Sequence, residues 1–131
     1  MKLVVDTNVL VSALMNLNGI PARILMSILR NDLGIIYDNR IIFEYMDVLS
    51  RKEFSFSSEI INELMKHIKN NGEYVNAGFS ELKFTDESDK KFYEVYKSGS
   101  AHYLITGNSK HFPKETGIVT PREFIDKANM A

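Results

Sequence analysis

The sequence predicts an α/β fold in which a short parallel sheet is covered by helices on both faces, and three observations carry that prediction. Apolar runs of strand length alternate along the chain with segments of helical periodicity. The runs Leu3-Val4-Val5, Gly34-Ile35-Ile36-Tyr37 and Tyr103-Leu104-Ile105-Thr106 are nearly continuous in apolar character, as strands buried on both faces are. Asp6 and Asn108 stand just past two of these runs, where open parallel sheets form their binding crevices.

The elements follow in order. After the first strand, residues 8–15 read as a helix, with Asp6 at the strand's carboxyl end. Gly19-Ile20-Pro21 supplies a turn with proline in the first helical position, and Ile24, Leu25, Ile28 and Leu29 then recur at helical spacing. Asp38 follows the second strand and is read as the N-cap of a third helix, whose apolar face is Ile41, Tyr45, Val48 and Leu49. The connector 54–58 ends in a serine cap for a helix over 58–69. Asn70-Asn71-Gly72 signals a turn, and 77–85 reads as irregular or strand-like. A fifth helix starts at the acidic group 86–89, shows Phe92, Val95 and Tyr96 on its apolar face, and ends at Gly99. Beyond the third strand, Ile118-Val119 offers a short fourth, and Pro121 opens a last helix.

A length of 131 residues, 44% of them hydrophobic, suffices for one core, and no linker, repeat or low-complexity run divides the chain. A single domain over residues 1–131 is therefore expected. Without cysteine there is no disulfide, no thiolate metal site and no thiol nucleophile, so any metal must be held by oxygen or imidazole. No signal peptide is read at the N-terminus. The longest apolar stretch, 9–15, is interrupted by Ser12 and falls short of the roughly 18 residues that span a bilayer. A soluble, cytoplasmic protein is the expectation. The net charge of -1 means that a nucleic-acid partner must meet a local patch. Arg51, Lys52 and Lys110 are read as a solvated face, and Lys90-Lys91 as one basic pair among scattered cations. His67 reads as a helix-surface residue, and neither it nor His111 has an acid or serine partner at triad spacing. The glycine-rich loops that cradle phosphates are absent from the sequence.

The chemistry-bearing candidates are acids. Asp6 either caps the first helix or belongs to a site. Glu44 flanks the apolar stripe of its helix, whereas Asp47 points further toward solvent. Asp89 precedes Phe92 by one helical turn, where the helix dipole favours an acid in any case. Together Asp6, Glu44 and Asp89 form an all-oxygen set, which favours Mg²⁺ or Mn²⁺ over zinc and needs a cation to offset its own repulsion. Phosphodiester hydrolysis is the natural use of such a pocket. On the same argument, Glu44→Gln should leave metal-free stability unchanged or raise it.

The strings Val4-Val5-Asp6-Thr7-Asn8-Val9-Leu10, Glu44-Tyr45 with Val48-Leu49-Ser50-Arg51, Asp89 before Phe92, and Leu104-Ile105-Thr106-Gly107-Asn108 with His111-Phe112 resemble PIN-domain proteins. Their order spans most of the chain. The resemblance implies a three-layer PIN-like fold and is strongest to toxin components of bacterial and archaeal toxin–antitoxin pairs. It therefore implies an endoribonuclease with Mg²⁺ or Mn²⁺, an RNA substrate, a cognate antitoxin protein as partner and scope for a homo-oligomer. By motif match Asp6, Glu44 and Asp89 take the acidic, metal-holding positions. Asn108 joins them as a catalytic candidate, and Thr106 and Asn108 are candidates to orient a water or a phosphate. Many relatives carry a fourth acid where this chain has Asn108, and several carry one in place of His102. The rival reading is a catalytically degenerate PIN-fold module that binds RNA or protein. A receiver-type phosphoacceptor domain would need an aspartate after a central strand, where Thr106-Gly107-Asn108 stands instead.

Overall fold

The structure, a computed structural model, describes residues 1–128; residues 129–131, which the single-domain expectation takes in, lie outside the described residues. The chain runs β1 (Lys2–Val5), α1 (Thr7–Met15), α2 (Ile20–Leu29), β2 (Gly34–Tyr37), α3 (Asn39–Leu49), α4 (Ser58–Asn71), β3 (Glu73–Tyr74), α5 (Lys90–Ser98), β4 (Tyr103–Ile105), β5 (Ile118–Val119) and α6 (Pro121–Lys127). Short 3₁₀ turns occupy Lys52–Phe54, Glu87–Asp89 and Ser109–His111. Among the described residues five strands, all parallel, form one sheet in the order β3-β2-β1-β4-β5, flanked by six helices in three layers.

The centre of the sheet explains the apolar runs. Leu3, Val4 and Val5 have no solvent exposure, and β1 pairs on one side with β2 and on the other with β4. Both faces of β1 are covered, so its sequence shows no polar alternation. The register aligns Leu3 with Ile35 and with Tyr103, and Val5 with Ile105. From β1 the chain moves outward through β2 to β3, then returns by α5 to β4 on the far side, so the strand order reverses beside β1. Such a reversal opens a crevice at the carboxyl ends of the two diverging strands. Asp6 follows one of those ends and Thr106 the other.

The helices are held by local chemistry and by the core. Asp38 caps α3 as read, its Oδ1 accepting the Ile41 N–H at 3.0 Å. Ser57 caps α4, one residue before the helix begins. A capping box of Thr120 and Glu123 starts α6 alongside Pro121. The α1–α2 junction bends by 103°. α5 lies against β1, β2 and β4 through the fully buried Phe92 and Val95.

Two features differ from the sequence reading. His67 is half-buried, with Nε2 3.1 Å from the Ile28 carbonyl, and so ties α4 to the end of α2. The segment 77–85 is irregular, while an unforeseen strand, β3, lies just before it. β3 is two exposed edge residues, too short and too polar to leave an apolar signature. Its docking rests on the Val75 N–H donating to Tyr37 O at 2.7 Å and on an edge-on contact of the Tyr37 and Tyr74 rings.

Gly72 leads into that strand. A Cβ there would stand 2.5 Å from Ile68 O and 2.8 Å from Ile35 O, both backbone atoms that cannot rotate aside. Gly72→Ala should therefore cost roughly 1–3 kcal/mol by overpacking and lower the melting temperature by several degrees. An unchanged melting curve would mean that β3 is not docked in this way.

Candidate active site

Asp6 sits at the N-cap position of α1, yet its side chain makes no capping hydrogen bond, so helix capping does not account for it. Its backbone N–H continues the sheet by donating to Ile105 O at 2.9 Å. Its Oδ2 accepts the Thr106 hydroxyl at 2.8 Å, and that hydroxyl in turn accepts the Asn108 N–H at 3.0 Å. Thr106 is completely buried and engaged in both directions. It is a strut that orients Asp6, and the expectation that its hydroxyl orients a water or a phosphate gives way.

Glu44 stands on α3 with its side chain 22% exposed, while Asp47 turns outward to pair with Arg51. One Glu44 oxygen accepts the Thr7 hydroxyl, and the other lies 2.7 Å from the Lys91 ammonium. The next residue, Tyr45, is fully buried and donates its hydroxyl to the Val5 carbonyl. That bond ties α3 to the residue before Asp6, so the two carboxylates are placed by one anchor.

Asp89 closes the 3₁₀ turn before α5, again without a capping hydrogen bond. Asp86 performs the capping instead, accepting from the Ser88 N–H and hydroxyl at 2.9 and 2.7 Å. Asp89 lies 3.9 Å from His111 Nδ1, a pairing through space that sequence spacing does not reveal.

The electrostatics set this group apart. Burial pushes the Asp6 carboxyl up to about 6; the Thr106 hydrogen bond opposes this, and repulsion from Asp89 and then Glu44 adds to it. Asp89 is also raised, by burial and by the charges of Asp86 and Glu44, against the pull of His111 and Lys91. Outside this group the buried acids are neutralised differently. Arg40 bridges Asp38 and Glu94 at 2.7 Å each, and the Ser80 N–H reaches Glu94 at 2.7 Å. Burial works against the Glu94 charge, but Ser80 and Arg40 more than reverse it and hold that carboxyl below its usual value. Among the described residues, Asp6 has only the Thr106 hydroxyl and the Thr7 backbone on its side.

Asp6, Glu44 and Asp89 thus lie within electrostatic reach of one another at the carboxyl edge of the sheet. Asn108 is joined to them through Thr106, but it lines a hollow of about 200 Å³ with Asn8, Ser12 and Gly107 that none of the three acids borders. His102 is at the opposite end of β4, its Nδ1 accepting the Lys2 N–H at 3.0 Å. Among the described residues no three of His, Cys, Asp and Glu are grouped closely enough to hold an ion as they stand. The donor set nevertheless has the chemistry a hard divalent cation takes: every donor is a carboxylate oxygen, and Asp6 and Asp89 are raised first by burial and then by neighbouring carboxylates. Lys91 already holds Glu44 by an ion pair at 2.7 Å. This also reverses the expectation for Glu44→Gln: the variant loses an ion pair, and metal-free stability should fall.

A three-layer α/β fold with acids gathered at a strand-order reversal defines a nuclease-type class of protein. The sequence profile of the PIN domain family matches residues 2–110, and the chain belongs to that family. PIN domains are generally nucleases that bind RNA and typically use divalent metals. A search of curated proteins found no match.

The raised Asp6 carboxyl has a stability consequence. Its folded value of about 6 exceeds the ordinary 3.8, so the folded protein holds this proton more tightly, and the associated stability is lost as pH rises from about 4 to about 6. Removing the charge should restore it. Metal-free Asp6→Asn should be more stable than wild type at pH 7, by up to about 3 kcal/mol, and the two should converge near pH 4. Urea melts across this range measure the difference, and equal stability at pH 7 would contradict it.

Proposed function

We propose that the protein is a divalent-metal-dependent endoribonuclease, a single PIN-like domain over residues 1–131, and the toxin of a toxin–antitoxin pair. The observation that carries the nuclease reading is the convergence of Asp6, Glu44 and Asp89 at the strand-order reversal, in a chain whose family consists generally of nucleases. In this reading the three acids hold Mg²⁺ or Mn²⁺. A divalent ion held there would supply an acidified water and charge stabilisation for phosphodiester hydrolysis. The residues of the chain provide the positioning: Thr106 sets the Asp6 carboxylate, Tyr45 seats α3 and with it Glu44, and the turn capped by Asp86 presents Asp89. Asn108, at the margin, orients the attacking water or the phosphate through its amide.

The cytoplasm as location, a cognate antitoxin as partner, RNA as the specific substrate and a homo-oligomeric state are proposed with it. The motif resemblance supports the toxin assignment. The absence of cysteine agrees with a reducing compartment. Among the described residues no single helix is long and apolar enough to cross a membrane. A second reading, a PIN-fold module that binds RNA or protein without cutting it, is favoured by the amide at Asn108 and by the engagement of Glu44 with Lys91.

Purified protein should cleave single-stranded RNA with Mn²⁺ or Mg²⁺ and stop on chelation. Asp6→Asn should abolish cleavage while remaining folded. Full activity in excess chelator would sink the metal-dependent reading, whereas RNA binding without cleavage under every divalent ion tried would favour the second reading.

Two substitutions at the ends of β4 test the placement of the site. Asn108→Asp should tighten Mn²⁺ binding in a calorimetric titration, because a carboxylate is the better ligand for a hard ion. His102→Asp, at the far end of the strand, should leave affinity at the wild-type value. The opposite ranking would place the site at the amino end of β4.

A further inference from the structure

Lys91 is the second residue of α5, and its side chain is only 14% exposed, which is rare for lysine unless the charge is paired. Its ammonium is held from three sides. The ammonium lies 2.7 Å from Glu44 Oε1, it donates to the Ser88 carbonyl, and it sits 5.2 Å from the centre of the Phe92 ring. Its charge also favours the ionised forms of Asp86 and Asp89. The neighbouring Lys90 makes a different contact, over the exposed Phe79 ring at 4.2 Å. Lys91 is thus the cation built into the acidic group, and it is bonded to the very carboxylate that a divalent ion would need.

We propose, resting on the metal-dependent reading above, that Lys91 is the resident counter-ion of this site. It neutralises Glu44 in the metal-free protein and is expelled from that carboxylate when Mg²⁺ or Mn²⁺ binds. The affinity for metal is then a competition. A divalent ion gains the attraction of three carboxylates, but it must break one half-buried ion pair and come to rest beside a displaced ammonium. The arrangement keeps the metal-free chain folded despite its clustered acids and holds metal affinity below what the carboxylates alone would give.

The test is calorimetric titration of Mn²⁺ alone, without RNA, into wild type, Lys91→Met and Lys91→Arg. Lys91→Met should bind Mn²⁺ roughly tenfold or more tightly, the effect of one partly screened charge a few ångströms away, and its metal-free form should melt at a lower temperature. Lys91→Arg keeps the charge and should stay close to wild type. If wild type binds Mn²⁺ and Lys91→Met binds it equally or more weakly, the counter-ion role is overturned while the metal-dependent reading stands. If neither protein binds Mn²⁺, both fall. If Lys91→Arg tightens binding as much as Lys91→Met, lost packing and not lost charge is responsible, and the proposal is overturned. Should Lys91→Met fail to fold, amine acylation of the unaltered protein, read by mass spectrometry, decides. Saturating Mn²⁺ should raise the modification rate of Lys91 several-fold relative to Lys114, and an unchanged rate would overturn the proposal.

Discussion

The structure depends on the parallel pairing of β1 with β4. This contact joins residues about a hundred positions apart, Leu3 with Tyr103 and Val5 with Ile105, and it sits at the one place where the strand order reverses. It brings Asp6 against Thr106, buries both, and leaves the Asp6 carboxylate with a hydroxyl for support in place of a cation. Loop closure over such a separation is entropically costly, and the fully buried apolar residues of β1 and β4 supply the compensating gain. The other two acids are then placed by elements that pack on this pair: Glu44 by α3 through the Tyr45 bond to Val5, and Asp89 by the turn that leads into α5.

The contrast between two sets of buried acids shows what the fold invests in this site. Asp38 and Glu94 share Arg40, and Glu94 also anchors the 77–85 segment through Ser80. Those carboxylates are paired with a cation and a backbone N–H, and their network holds secondary structure together. The Asp6 group is left with mutual repulsion relieved only in part, by Lys91 at Glu44 and by His111 near Asp89. Carboxylates kept close together and incompletely neutralised are unfavourable for folding and favourable for recruiting a cation, the usual signature of a functional site.

Much of this was legible in the sequence, for identifiable reasons. Strands buried on both faces write themselves as apolar runs, so β1, β2 and β4 were readable, as was the turn at Gly72. β3 was not, because an edge strand of two exposed residues is held by backbone hydrogen bonds that have no side-chain signature. Asp6 was ambiguous because an aspartate before a helix is also the standard cap; only the absence of a capping hydrogen bond resolves it. Asp38, in the same sequence context, does cap and was correctly set apart. Thr106 reads as a candidate to orient a water or a phosphate, and Lys91 as half of a basic pair among scattered cations. Their roles depend on partners about a hundred and about fifty residues away, which periodicity and spacing cannot report. Family motifs carried the order of the acids along the chain, but not the lysine that holds one of them.

The central claim is that Asp6, Glu44 and Asp89 close around a divalent ion. Crystals grown with Mn²⁺ and measured for anomalous scattering test it directly. The account predicts a peak in coordination contact with the Asp6 carboxylate and with at least one of Glu44 and Asp89, at the carboxyl edge of β1 and β4. A fully occupied Mn²⁺ elsewhere on the molecule, with these three carboxylates unligated, would contradict it.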